Sequence, residues 1–149
     1  SNRRHIAEAV RLLEPFAGKR IGFLGLTFKS NTDDLRESPT LDVMAALLER
    51  GETVRAYDRN LRFGPLLAQQ MAYVRHAAPG QARLMDELES LCVADGASLV
   101  ASSDVLVVSH ATEEFRRLVR ARAPHVHVLD LVRLFKEPLD EPTYHGIAW

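Results

Sequence analysis

Two short runs of this chain are almost wholly apolar, Arg20-Ile-Gly-Phe-Leu-Gly-Leu26 and Val105-Leu-Val-Val108. Runs of this length and character suit parallel strands covered on both faces, which leaves few folds open to the chain. Around them the spacing turns helical. Residues 4 to 17 place Ile6, Val10, Leu13 and Ala17 at helical intervals, and Gly18 follows as a stop. Ser38-Pro39 joins a good N-cap to a good first helical residue. Leu41, Met44 and Leu48 form the buried stripe of that helix, which Gly51 ends. Thr53 to Tyr57 alternates as a strand, and Asp58-Arg59-Asn60 reads as a turn.

The second half continues the pattern. Residues 65 to 91 read as one or two helices broken near Pro79-Gly80. Leu91-Cys92-Val93 reads as a short strand and 94 to 102 as a short helix. Residues 112 to 122 read as a helix with Phe115, Leu118 and Val119 inward, and Val126 to Leu131 as a strand. The tail from Lys136, with Pro138 and Pro142, reads as extended. Alternating strands and helices predict an α/β fold, a three-layer α/β/α sandwich around a mainly parallel sheet.

Composition narrows the function. The net charge of −1 gives no drive toward nucleic acid or an anionic membrane surface. No apolar run approaches the roughly 20 residues of a membrane helix, and no secretory signal pattern is visible. One cysteine, Cys92, excludes an intrachain disulfide framework and a multi-cysteine zinc site, and points to a reducing cytoplasm. Ser1-Asn2 reads as a remnant of tag removal, and the chain as a fragment of a larger protein.

In open parallel sheets, ligands bind beyond the carboxyl ends of the strands. The loop after the first strand, Thr27 to Ser38, is much longer than the usual ~2–6 residues and is rich in charge. It leads into a helix N-terminus, where anions are favoured. Lys29 and Arg36 supply a point charge and a planar fork of the kind a diphosphate needs. The competing reading is a solvated loop whose acids pair with its own bases. Gly22 and Gly25 do not make a dinucleotide fingerprint, and Lys29-Ser30 lacks the glycine of a P-loop. Asp58 stands where a dinucleotide fold places a ribose-binding acid, but turn formation is its favoured role.

Other candidates carry less. Cys92, between Leu91 and Val93, reads as a buried structural thiol. His125 and His127 would share a strand face, without further metal ligands by spacing. His110, at a strand end, reads equally as a ligand contact or as a cap or surface residue. Arg116, Arg117, Arg120 and Arg122 read as the solvated side of an amphipathic helix. By its own chemistry the chain is a binding module, not a complete enzyme.

Gly22-Phe-Leu-Gly-Leu-Thr-Phe-Lys29, followed by Thr32-Asp-Asp-Leu-Arg-Glu-Ser-Pro39, resembles the start of the C-terminal domain of the UDP-glucose/GDP-mannose dehydrogenase family. The resemblance continues through Tyr57-Asp-Arg-Asn60, Ala101-Ser-Ser-Asp-Val-Leu-Val-Val108 and Leu129-Asp-Leu-Val132, and is weakest over 61 to 90. The ending Gly146-Ile-Ala-Trp149 resembles the GDP-mannose branch, with Ala148 in place of that branch's cysteine. The resemblance implies a Rossmann-like sheet over residues 19–149, a nucleotide-sugar-binding domain, preceded over 1–18 by the end of an inter-domain linker helix. It implies an NAD-dependent 6-dehydrogenase that oxidises GDP-mannose to GDP-mannuronate, an alginate-type precursor for polysaccharide biosynthesis. NAD and the catalytic cysteine would belong mainly to the missing N-terminal and central domains, so the fragment alone is expected to be inactive. A homodimer or larger assembly is implied.

By the same resemblance, Phe28 and Lys29 would meet the nucleotide sugar and Arg36 the NAD pyrophosphate. Asp34 and Glu37 would support the loop. Many UDP-sugar members carry Asp-Gly-Arg at the last strand; here Asp130-Leu-Val-Arg133 puts the arginine one residue late, which favours GDP-mannose. The alternatives are a UDP-glucose or UDP-N-acetylhexosamine dehydrogenase domain and a stand-alone nucleotide-binding regulatory module.

Overall fold

A computed structural model describes residues 2–147. Five strands, β1 (Arg20–Leu24), β2 (Thr53–Tyr57), β3 (Val105–Val108), β4 (His127–Asp130) and β5 (Tyr144–Gly146), form one sheet in the order β2-β1-β3-β4-β5. Every pairing is parallel. Among the described residues six α-helices surround it: α1 (Asn2–Leu13), α2 (Pro39–Glu49), α3 (Pro65–Ala77), α4 (Ala82–Leu91), α5 (Gly96–Ala101) and α6 (Glu113–Ala121). Residues from α1 to α4 pack with Ile21, Phe23, Val54, Val105 and Val107 in one core. Residues from α5 and α6 pack with Leu24, Leu106, Val108 and Val128 in the other. The apolar runs therefore alternate between two cores, because successive strand side chains point to opposite faces.

Gly22 permits the close approach of α5. A Cβ there would lie 2.3 Å from Ser103 Oγ and 3.2 Å from Leu99. Its part is packing, not phosphate binding. α1 buries Ala9, Val10 and Leu13 in the first core, so this helix is part of the globule.

Several local readings change. Leu91-Cys92-Val93 is not a strand; only Cys92 bridges to Ala56, and the Val93 amide donates to the Ala56 carbonyl at 2.8 Å. Ser38 precedes Pro39 at the start of α2, yet its hydroxyl caps nothing and donates to the Leu26 carbonyl at 2.6 Å. The tail contributes an edge strand, β5, too short to show periodicity. Arg122 is no part of a solvated face. Its side chain is 5% exposed and donates to the carbonyls of Val119 and Val126, to Thr143 and to Glu141. Ala148 and Trp149, half of the GDP-mannose-like ending, lie outside the described residues.

His127 and His145 join β4 to β5. Their rings are parallel within 1°, and 5.4 Å between centroids against 3.2 Å between Nδ1 and Nε2 sets them edge to edge, close to one plane. One nitrogen must donate to the other, so the bond survives one protonation but not two. Burial, then the neighbouring His145 and Arg122, lowers the His127 pKa below 6.5. The unfolded state thus binds the proton better, and this contribution to stability is lost as pH falls below about 6.5. The Ile147 amide, which donates to the Asp130 carbonyl at 2.9 Å, is expected to lose exchange protection at about pH 5 relative to β1 amides, after correction for intrinsic rates. Equal protection ratios at both pH values would contradict this.

Candidate functional site

The strand order reverses between β1 and β3, and such a switch point opens a crevice beyond the strand ends. The loop 25–38 rises there. Gly25 starts it with φ +94°, and a Cβ would lie 2.6 Å from His110 Nδ1, so both conformation and space call for glycine. Asp58, buried at the end of β2, accepts from the amides of Leu26 (2.9 Å) and Thr27 (3.2 Å) on one oxygen. Its other oxygen accepts from the Asn60 amide at 3.0 Å. Asp58 therefore does make the turn, and it also holds the base of the loop. Its carboxylate is occupied by amides, not offered to a ribose. His110, 5% exposed, donates from Nε2 to the Thr27 carbonyl at 2.8 Å. It is neither a cap nor a surface residue.

Leu35, fully buried in the first core, pins the middle of the loop. Its amide donates to Gln70 Oε1 on α3 at 2.9 Å. The Lys29 carbonyl accepts from the Thr27 hydroxyl at 2.8 Å and the Thr32 hydroxyl at 3.1 Å, which fixes the backbone of Lys29 and leaves its side chain exposed. The ammonium stands 5.8 Å from the centroid of the Phe28 ring. Asp34 receives Nε and Nη2 of Arg36 at 3.0 and 3.1 Å, and the Arg36 amide at 3.0 Å. This pair lowers the Asp34 pKa and raises that of Arg36. Being exposed, it adds little stability; its effect is to orient the guanidinium with Nη1 turned away. Glu37 is exposed and holds a left-handed φ of +58°.

Three concavities lie near the carboxyl ends of the strands. One of about 390 Å³ sits at the switch point, with Ser30, Asn31, Arg59, His110, Thr112 and Arg117 on its walls. A second of about 320 Å³, between the loop and α3, is lined by Phe28, Asp34, Arg36, Glu37 and Tyr73. A third of about 380 Å³ lies at β4 and β5, walled by Phe135, Leu139, Tyr144 and Ile147 with Arg133 at φ +53°. There the Asp130 carboxylate accepts from the amides of Val132 and Leu134 and from the Tyr144 hydroxyl. Phe28 and Arg36 thus share one concavity, whereas the exposed Lys29 lines none of the three. Among the described residues no three His, Cys, Asp or Glu side chains gather to hold a metal ion. Burial pushes the Cys92 thiol up to about 12, as befits an inert structural residue. No helix among the described residues is long and apolar enough to cross a membrane.

Residues 22–137 match the family model described as UDP-glucose/GDP-mannose dehydrogenase family, UDP binding domain. The chain belongs to the UDP-glucose/GDP-mannose dehydrogenase family. GDP-mannose 6-dehydrogenase of Pseudomonas aeruginosa is 33% identical over 149 residues, all of this chain and 32% of that protein. UDP-glucose 6-dehydrogenase of Rhizobium meliloti is 31% identical over 136 residues, 89% of this chain and 26% of that protein. A crystal structure of a ternary complex of GDP-mannose dehydrogenase from Pseudomonas aeruginosa superposes with a TM-score of 0.77 and 30% identity, covering 97% of this chain and 31% of that one. The chain therefore spans between about a quarter and a third of the length of these relatives.

The Thr27, Thr32 and Ser38 hydroxyls hold this loop from within, and residues distant in sequence hold it from outside. Asp58, His110 and Gln70 do that work from β2, the β3 end and α3. Gln70 and Tyr73 lie three apart on α3, in the stretch where the family pattern is weakest, so no motif pointed to them.

Proposed function

We propose that this chain is the nucleotide-sugar-binding domain of a longer NAD-dependent 6-dehydrogenase acting on GDP-mannose, with residues 1–18 ending the connection from preceding domains. The observation that carries this reading is the fixed loop 25–38, which presents an exposed Lys29 and an oriented Arg36 at the switch point of a parallel sheet. Lys29 engages the anionic nucleotide sugar beside the Phe28 ring. Arg36 turns its Nη1 edge to the NAD pyrophosphate. Asp34 fixes that edge beforehand, so less rotamer entropy is lost on binding. Oxidation at C6 would take its hydride acceptor from NAD+, toward whose pyrophosphate this chain would offer Arg36. This chain contributes binding and orientation only, since the nucleophilic cysteine and most of the NAD contacts belong to the preceding domains.

GDP-mannose is preferred over a UDP-sugar because the arginine that follows Asp130 at the end of β4 comes one residue late, at Arg133, and because the relatives matched over the whole chain include GDP-mannose 6-dehydrogenases. The product would be GDP-mannuronate, a precursor for acidic polysaccharide. The whole enzyme works as a homodimer or larger, its cleft completed by the other domains. Calorimetric titration of the longer protein is expected to show GDP-mannose binding at least tenfold more tightly than UDP-glucose. Tighter binding of UDP-glucose would overturn the branch, and binding of neither would overturn the domain's role.

A further inference from the structure

The buried imidazole of His110 reaches the loop at one peptide unit. Nε2 lies 2.8 Å from the Thr27 carbonyl, which can only accept, so that nitrogen carries the proton. The Thr27 carbonyl and the Phe28 amide belong to the same planar peptide. The Phe28 amide donates to the Asp34 carbonyl at 2.9 Å, across the loop. Peptide 27–28 is thus held at both poles, by His110 on one side and by the far arm of the loop on the other. The Thr27 hydroxyl then donates to the Lys29 carbonyl at 2.8 Å and lies farther, at 3.4 Å, from the Asp58 carboxylate. A chain of bonds therefore runs from His110 through Thr27 to the backbone of Phe28 and of Lys29.

The imidazole has little freedom of its own. A Cβ on Gly25 would lie 2.6 Å from Nδ1, and the Phe115 ring runs parallel to it within 14°, 6.2 Å away between centroids. His110 and Thr27 are both buried. A group whose rotamer is fixed by packing is the kind that can hold a binding residue in place. Asp58 acts earlier in the chain, on the amides of Leu26 and Thr27, and so secures the base of the loop. His110 acts one peptide nearer to Phe28 and Lys29.

We infer that His110 is a positioning residue for nucleotide-sugar binding: by holding peptide 27–28 it places Phe28 and Lys29 for the ligand, acting through the backbone. The inference rests on the reading of Phe28 and Lys29 given above. It gives the end of β3 a part in binding that its own side chain does not make directly.

The test titrates GDP-mannose calorimetrically into the longer protein and its variants, with thermal unfolding recorded alongside. His110→Phe keeps an aromatic ring and removes the donor, and is expected to raise Kd roughly three- to tenfold, as befits one lost hydrogen bond. His110→Gln, whose amide nitrogen can donate to the same carbonyl, should return Kd to within about twofold of wild type. Thr27→Val keeps the shape but cuts the link to the Lys29 carbonyl, and should also raise Kd roughly three- to tenfold. In a Lys29→Ala background His110→Phe should raise Kd by less than about twofold, because the main group it places is gone. A merely structural role would lower the unfolding temperature and leave the affinity of the folded protein unmoved. Wild-type affinity in folded His110→Phe overturns the proposal, as does an effect undiminished without Lys29; should that variant not fold, wild-type affinity in Thr27→Val overturns it instead. If Lys29→Ala weakens binding and these variants do not, the role of His110 alone fails. If Lys29→Ala itself binds as wild type, the reading of Lys29 fails and the proposal with it.

Discussion

Lys29→Ala in the longer protein is expected to lower kcat/KM for the nucleotide sugar by about 10²–10³-fold while the fold survives. Losing one charge-assisted contact in a closed, water-poor cleft costs about 2.7–4 kcal/mol of transition-state stabilisation. Stability should be nearly untouched, within about 0.5 kcal/mol, because the Lys29 side chain is exposed. What the loop needs from this residue is its carbonyl, which accepts from Thr27 and Thr32 and is kept by alanine. Steady-state kinetics beside thermal unfolding separates the two effects. Wild-type kcat/KM in this variant would remove Lys29 from the site, and a large fall in unfolding temperature would make its role structural.

Asp58→Ala should do the opposite and act first on stability. Its carboxylate accepts from the backbone amides of Leu26, Thr27 and Asn60, the first two at buried positions. Orphaning two buried amides at about 1–3 kcal/mol each puts the cost at about 2–6 kcal/mol. For a domain of this size that is roughly a 10 °C fall in unfolding temperature. Exchange of the Leu26 and Thr27 amides should rise more than that of β3 amides, because the loop base opens locally. A variant within about 1 kcal/mol of wild type would mean that water replaces the carboxylate and that Asp58 does not hold the loop.

The strands with strong apolar character, β1 and β3, were legible because burial on both faces forces an unbroken run. The helix break near Pro79 was legible too, and it falls where α3 ends and α4 begins. β5 was not, since three residues cannot display a period and Tyr144-His-Gly146 is largely exposed. Arg122 looked like one more cation on a polar face; its partners come from Val126 and the tail, up to 21 residues away. The same reason hid the loop's supports. A motif records the residues that meet a ligand, Lys29 and Arg36 by resemblance. Asp58 and His110 act through backbone groups 31 and 83 residues away, and a linear reading does not bring such pairs together.

The most direct test of the whole account is the stoichiometry of NADH formed by the longer protein offered GDP-mannose and UDP-glucose separately. The account predicts two NADH for each GDP-mannose consumed, the count that carries an alcohol to a carboxylate, and negligible NADH from UDP-glucose. No NADH from GDP-mannose, or two NADH from UDP-glucose alone, would contradict it.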